Sequence, residues 1–455
     1  MADHRVDIGT FGDARRAATG AFLLQRILET GSLVVRRIGR DRAGEIAVHR
    51  FLSAPAVPVQ EIIHTVAART AAACRARRIV AVQDTTEINF TGRDRARRGL
   101  GPNGNGSVGF FIHPVLAVDA DTEALLGVVD AHIWTRADAP TPEHHGRPFE
   151  AKESYRWLAG MRAAHQRLAE VDSLIHVADA EGDIYACFAR RPDGVELVVR
   201  AGQDRGLADD GRLYAAATPW PELGRQEVRV ASRGPGDPGR VAVVALRAGA
   251  VRLTRSARGH AASDPGELGL NLVEVREVGA PAHVRPLLWR LLTTLPAGRL
   301  AEVGEVVRLY RLRWRIEQVF RALKSDGLGL ADVQMQTGER LFKLAAVGLV
   351  AAARTIQLVD AREGSCRPAS DVVDEALLEA AALIGRSQEG RTARQRNPHD
   401  PGSLAWLSWI IARLGGWNCY GKPPGPKTMR VGWNQFAAMA AGIILATNRP
   451  VPCIP

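Results

Sequence analysis

Four polar side chains, Tyr310, Arg313, Glu317 and Lys324, recur along one stretch with the spacing of a single helical face. At roughly 100° per residue they fall within about 60° of one another. Leu312, Ile316, Val319, Phe320 and Leu323 form the apolar stripe. No Gly or Pro interrupts the stretch, and Gly327 and Gly329 follow as stop signals. The spacing therefore predicts one continuous helix over 310–324. Its polar face sets a phenol, a guanidinium, a carboxylate and an ammonium in a row, a set able to grip a phosphate backbone and bring one carboxylate to a metal. The same residues fit a solvated face carrying an Arg313–Glu317 ion pair.

Two further acids stand at strand ends. Ile79 to Val82 is a β-rich run that leads into Gln83-Asp84-Thr85-Thr86, and Leu174 to Ala178 runs into Asp179. In open α/β sheets, ligands gather outside the carboxyl ends of strands. Asp84, Asp179 and Glu317 suit two-metal phosphoryl transfer, in which carboxylates flank two cations about 3.5–4 Å apart. Mg²⁺ retains waters of its own, so a few carboxylates suffice and no His is needed. A strand-end Asp taken singly is more often a turn residue. Asp183 either assists the metal site or caps the helix after it, and the cap is favoured. Glu181 is a candidate supporting acid. Lys152 and Glu153 either contact DNA or begin a long helix.

Around these residues the pattern changes along the chain. Residues 1–65 read as a helical, basic module, with helices opening at Phe11 to Arg16 and spanning Arg42 to Leu52, and Pro55 and Pro58 ending it. Arg36, Arg37, Arg40, Arg42, His49 and Arg50 make it either a DNA-binding domain or a helical cap with solvated arginines. Residues 66–360 read as the catalytic domain. It contains a basic Gly-rich loop from Arg93 to Gly106, with Arg93, Arg95, Arg97 and Arg98. A meander over Val108 to Ile112, Val115 to Val118 and Leu125 to His132 turns at His113-Pro114 and at Asp119 to Thr122. A helix over Glu153 to Glu170, a strand into Asp179, a helix over Asp183 to Arg190 and a strand over Val195 to Arg200 follow. This order gives an α/β fold with a mixed sheet of ribonuclease-H-like type. Residues about 203–296 break the alternation and read as a β-rich insertion ending past Trp289. Residues 361–455 read as a helical C-terminal domain, following a helix over Gly338 to Ala361. Its helices span Ser370 to Ile384, Leu404 to Leu414 and Trp433 to Ala446.

With 455 residues, nearly half of them apolar, the chain suits two or three globular domains. Its net charge of +11 favours a polyanionic partner, nucleic acid before an acidic membrane surface. Arginine carries most of the excess, and a GC-rich coding sequence also produces such a bias. The five cysteines, Cys74, Cys187, Cys366, Cys419 and Cys453, are scattered, which excludes a zinc knuckle or a CxxC redox pair and fits a reducing cytosol. Acidic residues and no long apolar run at the start argue against a signal peptide. The best membrane candidate, Leu344 to Ala353, is short and ends at Arg354. The expectation is a cytoplasmic protein, associated with the nucleoid through DNA, with no membrane partner.

The spacing Tyr310-x2-Arg313-x3-Glu317-x6-Lys324 resembles the YREK signature of the insertion-sequence-four (transposon-five-like) group of DDE transposases. Asp84-Thr85-Thr86 is similar to that group's first Asp motif and Asp179-Ala180-Glu181-Gly182-Asp183 to its second, with Ala180 where Arg is common. Phe11 to Arg15, the Gly101 to Phe111 loop, Lys152-Glu153-Ser154, Trp289 and Arg413 to Gly416 extend the resemblance over almost the whole chain.

The resemblance implies a ribonuclease-H-like core in which Asp84, Asp179 and Glu317 are catalytic and bind two Mg²⁺, with Mn²⁺ as a substitute. It implies that Tyr310, Arg313 and Lys324 grip transposon-end phosphates, with Arg200 a further DNA contact. It implies that Trp289 stacks on a flipped base, where the residue alone reads as a core tryptophan between Leu288 and Leu291. The implied activity is cut-and-paste transposition: binding terminal inverted repeats of double-stranded DNA, cleaving, and joining the 3′-OH ends to target DNA. A homodimer in a synaptic complex, paired through the C-terminal helices, is implied as well. The rival readings are a catalytically inactive DNA-binding transposition inhibitor and a stand-alone metal-dependent nuclease.

Overall fold

The computed structural model describes residues 7–90, 97–104, 107–137, 147–230, 239–256, 263–324, 328–362, 364–365, 367–373 and 375–447. Arg93, Arg95, Gly327, Cys366 and Cys453, named above, lie outside these residues. Four helices lead, α1 (Ala14–Thr30), α2 (Val35–Ile38), α3 (Arg42–Ser53) and α4 (Val59–Cys74). Strands β1 (Arg78–Gln83), β2 (Thr86–Phe90), β3 (Gly101–Pro102), β4 (Val108–Asp119) and β5 (Leu125–Trp134) follow, then α5 (Arg156–Arg167), β6 (Ser173–Ala178), α6 (Tyr185–Ala189) and β7 (Val195–Arg200). After α7 (Leu213–Ala216) come β8 (Gly224–Val230), β9 (Arg240–Thr254), β10 (Glu267–Glu277) and β11 (Leu288–Thr293). Helices α8 (Leu300–Arg311), α9 (Trp314–Leu323), α10 (Gly338–Ala361), α11 (Glu375–Gln388), α12 (Leu404–Leu414) and α13 (Pro426–Thr447) complete the chain.

The eleven strands of the described residues join one mixed sheet in the order β2-β4-β1-β6-β7-β11-β10-β9-β8, with β3 and β5 also on β4. Its centre, β1-β6-β7, is parallel, and the remaining pairs are antiparallel. This mixed α/β arrangement is compatible with a ribonuclease-H-like fold. Alternation in β1 sends Val80 and Val82 into the core shared with α8, α9 and α10, and Ile79 and Ala81 into the core shared with α5 and α6. A sheet buried on both faces explains why β1 reads as a continuous apolar run. The β-rich segment after β7 extends the same sheet, because β11 pairs antiparallel with β7 and β10 with β11.

Several expected boundaries move. The turn expected at His113-Pro114 is absent, and β4 runs unbroken through both residues. Pro114 lies where the neighbour of β4 changes from β2, paired up to Ile112, to β1, paired from Val115. Asp84 and Thr85 leave that edge open, so a residue without an N–H is accommodated there. Pro58, read as ending the basic module, instead precedes the first residue of α4, where its missing N–H costs no intrahelical hydrogen bond. The expected boundary at residue 65 falls inside α4. That helix packs closely on β5 at Gly127 (φ +152°), where a Cβ would stand 2.4 Å from Thr70 Oγ1. Helix α13 begins at Pro426, before the expected Trp433.

Helix α10 has the length and mean hydropathy, 1.5, of a membrane span, but most of it is buried in the protein core. Its end, with α11, α12 and α13, forms a separate apolar cluster around Trp409, Ile410 and Phe436.

Candidate active site

The register of β1 and β6 brings the two strand-end acids together. Val82 pairs with Val177 in parallel, so Asp84 and Asp179, each two residues on, leave adjacent strands side by side. Neighbouring strands stand about 4.8 Å apart. Both acids continue the alternation of Val80, Val82, Ile175 and Val177, which face the helices α8 to α10. Asp84 is 8% exposed. Its Oδ1 accepts the Thr85 amide at 2.7 Å and its Oδ2 accepts Arg313 Nη1 at 2.9 Å. Burial and the nearby Asp179 and Glu317 push its carboxyl up to about 7, against the pull of Arg313. Asp179 accepts the Glu181 amide at 2.9 Å and caps the 3-10 turn Ala180–Gly182.

The helix expected over 310–324 is two helices, α8 and α9, joined at Leu312-Arg313. The joint uses i→i+3 bonds, from Arg313 N to Tyr310 O, Arg315 N to Leu312 O and Ile316 N to Arg313 O. Leu312 is buried and Arg313 is tied to β1 at this point, and these tertiary ties tighten the turn that sequence alone reads as α-helix. Arg313 also donates to Glu317 at 3.3 Å, so one guanidinium bridges an acid of the sheet and the acid of α9. Arg315 pairs with Asp360 of α10, which also accepts the Leu125 amide, and this fixes α9 against the core.

The other expected contacts divide. Tyr310 is buried, and Trp289 meets it edge to face with ring centroids 5.2 Å apart. Burial raises the Tyr310 phenol. Lys324 ends α9, half-buried; burial lowers its ammonium and Glu87 and Glu317 oppose that. Arg200 ends β7 on the same groove. Asp183 does not cap α6. Its buried carboxylate accepts the Gly202 and Gln203 amides and pairs with Arg205 at 2.7 Å, a lock between two loops. Ala180 is exposed, and besides Arg205 on Asp183 a second guanidinium reaches this motif, that of Arg156 on Glu181 at 3.1 Å. Glu153 starts a 3-10 turn ahead of α5 and binds Arg136. Arg97 of the basic loop is buried over the Phe90 ring and donates to Val333 O.

A groove of about 1040 Å³ opens beside this centre, bounded by Trp289, Tyr310 and Arg313. Arg200, Arg229, Arg311 and Arg321 line it, and none of the four makes an acid pair among the described residues. Trp314, absent from the sequence reading, stands 43% exposed on the groove with the Arg313 guanidinium 5.0 Å from its ring centroid. Its signal was its place inside Arg313-Trp314-Arg315, an aromatic among cations. Arg229 had no local signal, because only the pairing of β8 brings it to the groove.

Among the described residues no three His, Cys, Asp or Glu side chains are grouped closely enough to cage a metal. The donor types nevertheless fit a hard cation. Asp84 carries a destabilised negative charge facing two other acids, and Arg313 now supplies the compensating positive charge.

Residues 193–353 match the family model of the transposase DDE domain. The match covers Arg200, Trp289, Tyr310, Arg313, Glu317 and Lys324, and begins after Asp84 and Asp179. Over that span the chain is similar to DDE transposases, and the match supports a DDE transposase acting on DNA.

Proposed function

We propose that this protein is a cut-and-paste DNA transposase of the insertion-sequence-four type, which cleaves at terminal inverted repeats and joins the freed 3′-OH ends to target DNA. The observation that carries the reading is the convergence of Asp84, Asp179 and Glu317 beside a groove in which Arg200, Arg229, Arg311 and Arg321 lack acid partners among the described residues. Asp84, Asp179 and Glu317 would hold the divalent ions. Mg²⁺, or Mn²⁺ in its place, supplies charge neutralisation for an in-line displacement at phosphorus.

The residues' own tasks follow from their positions. Arg313 must release Asp84 for those oxygens to serve a cation, and its guanidinium is then available to a phosphate. Arg200, Arg229, Arg311 and Arg321 line the groove for the phosphate backbone, and the exposed Arg36, Arg37, Arg40 and Arg50 add a second basic surface on the N-terminal helices. Lys324 and Tyr310 flank Glu317 and Arg313 as further phosphate contacts. Trp289 offers an indole for an unstacked base once the Tyr310–Trp289 ring pair opens. Two protomers pairing through α11 to α13 would present two such centres to two DNA ends.

The test is nicking and strand transfer on the inverted repeats flanking the gene, with Mg²⁺. Wild type should nick and join, while Asp84→Ala and Glu317→Ala should bind without nicking. Binding without nicking by wild type would show an inactive DNA-binding protein, and nicking without joining would reduce the activity to a nuclease.

A further inference from the structure

The first residue of α5, Arg156, touches both acid motifs at once. Its Nε donates to Thr85 Oγ1 at 3.0 Å and its Nη2 donates to Glu181 Oε2 at 3.1 Å. Its Nη1 donates to the Glu153 carbonyl at 3.0 Å, and the side chain is only 12% exposed. Thr85 and Glu181 are the residues whose backbone amides hold the Asp84 and Asp179 carboxylates, at 2.7 Å and 2.9 Å. One planar guanidinium therefore spans the two amide donors that orient the strand-end acids.

A buried chain continues from Thr85. Thr85 Oγ1 meets His113 Nδ1 at 2.9 Å, His113 Nε2 meets Gln83 Oε1 at 3.2 Å, and Gln83 Nε2 meets His176 Nδ1 at 2.9 Å. With Arg156 donating to Thr85, the hydroxyl donates to His113, His113 Nε2–H donates to Gln83, and Gln83 donates to His176. This direction needs both imidazoles neutral, which their burial enforces. The chain fixes the Thr85 hydroxyl in one orientation, and the edge of Trp157 packs against His113 with centroids 4.7 Å apart. Gln83, His113 and His176 are each about 2% exposed, so the chain is core structure rooted beneath the acid pair.

We propose that Arg156 is a positioning residue that clamps Thr85 to Glu181 and thereby sets the separation of the Asp84 and Asp179 carboxylates for their cation. This rests on the reading of those two acids as metal ligands. Groups that orient ligands from behind typically change metal affinity by about 10–100-fold when removed. Simple charge repulsion gives the opposite sign, because deleting a cation near two acids would tighten the hold on a metal ion.

The experiment measures Mn²⁺ binding to the full chain without DNA, from the free-Mn²⁺ signal in electron paramagnetic resonance. Arg156→Ala should weaken Mn²⁺ binding about 10-fold. Thr85→Val, which removes the same hydrogen bond, should weaken it also, and the double variant should bind no more weakly than Arg156→Ala alone. Arg156→Lys keeps the charge without the fork and should fall between wild type and Arg156→Ala; it carries the comparison if Arg156→Ala does not fold. Unchanged or tighter binding in Arg156→Ala, or losses that multiply in the double variant, would overturn the clamp alone. No Mn²⁺ binding by wild type would overturn the metal reading and the clamp with it.

Discussion

The arginines that line the groove form two sets. One set is committed to acids: Arg313 to Asp84 and Glu317, Arg315 to Asp360, Arg308 to Glu305 and Glu123. The other set, Arg200, Arg229, Arg311 and Arg321, has no acid partner among the described residues. The tryptophans divide in the same way, Trp289 being 7% exposed against Tyr310 and Trp314 43% exposed. Paired arginines shape the acid centre, while unpaired ones leave positive potential for a polyanion to neutralise. Arg311 and Arg313, only two residues apart in sequence, belong to different sets.

Substitutions test whether the division is real. The largest effect belongs to the acids: Asp84→Ala and Glu317→Ala should each lower nicking by roughly 10³-fold or more while DNA affinity in gel shifts stays within a few-fold. Trp289→Ala should lower stability by about 3–5 kcal/mol in urea unfolding, as for other buried aromatics. Trp314→Ala should change stability by less than about 0.5 kcal/mol and weaken DNA binding instead. If the two tryptophans behaved alike, exposure would not separate scaffold from contact. Arg313→Ala leaves a buried carboxylate without its cation and should lower stability by about 2–4 kcal/mol without metal, partly restored by Mg²⁺.

A pH series sharpens the same contrast. Asp84 is pushed up to about 7 in the fold, above its ordinary value of about 3.9. The folded state therefore holds a proton that the unfolded chain releases, so stability is fully present below about pH 4 and declines as pH rises through 7. In metal-free buffer, Asp84→Asn should gain stability relative to wild type between pH 5 and pH 8, on the order of 1–3 kcal/mol, read from thermal melts. The smallest effect belongs to the unpaired set: Arg229→Ala or Arg311→Ala should leave the melting point nearly unchanged and reduce the salt slope of DNA binding by about one.

Much of the central fold was legible because its signals are local. The apolar runs of β1, β6 and β7, the helix over Gly338 to Ala361 and the helix over Leu404 to Leu414 lie where periodicity puts them. The features that escaped depend on distant partners. Pro114 reads as a turn until the change of neighbour from β2 to β1 is known. The joint at Leu312-Arg313 follows from a hydrogen bond to Asp84, and Asp183 looks like a helix cap until Arg205 is seen beside it. Asp84 and Asp179 were recognisable at strand ends and Glu317 on a charged helix face, but the nearness of the two Asp follows from strand register and that of Glu317 from the Arg313 bridge. The role of Arg156 had no sequence signal, because Thr85 and Glu181 reach it from different strands.

The tie between Arg313 and Asp84 closes a loop of 229 residues. Contacts of such separation form late, since their closure entropy precedes any reward from packing. During synthesis the sheet residues that surround Asp84 emerge long before α9 does. A growing or truncated chain that stops short of α9 holds both strand-end acids with neither Arg313 nor Glu317 beside them. Competence thus waits on synthesis: no N-terminal fragment that stops short of α9 has the finished centre, and the acid pair meets its helix only once α9, which ends at Leu323 of 455 residues, has been made.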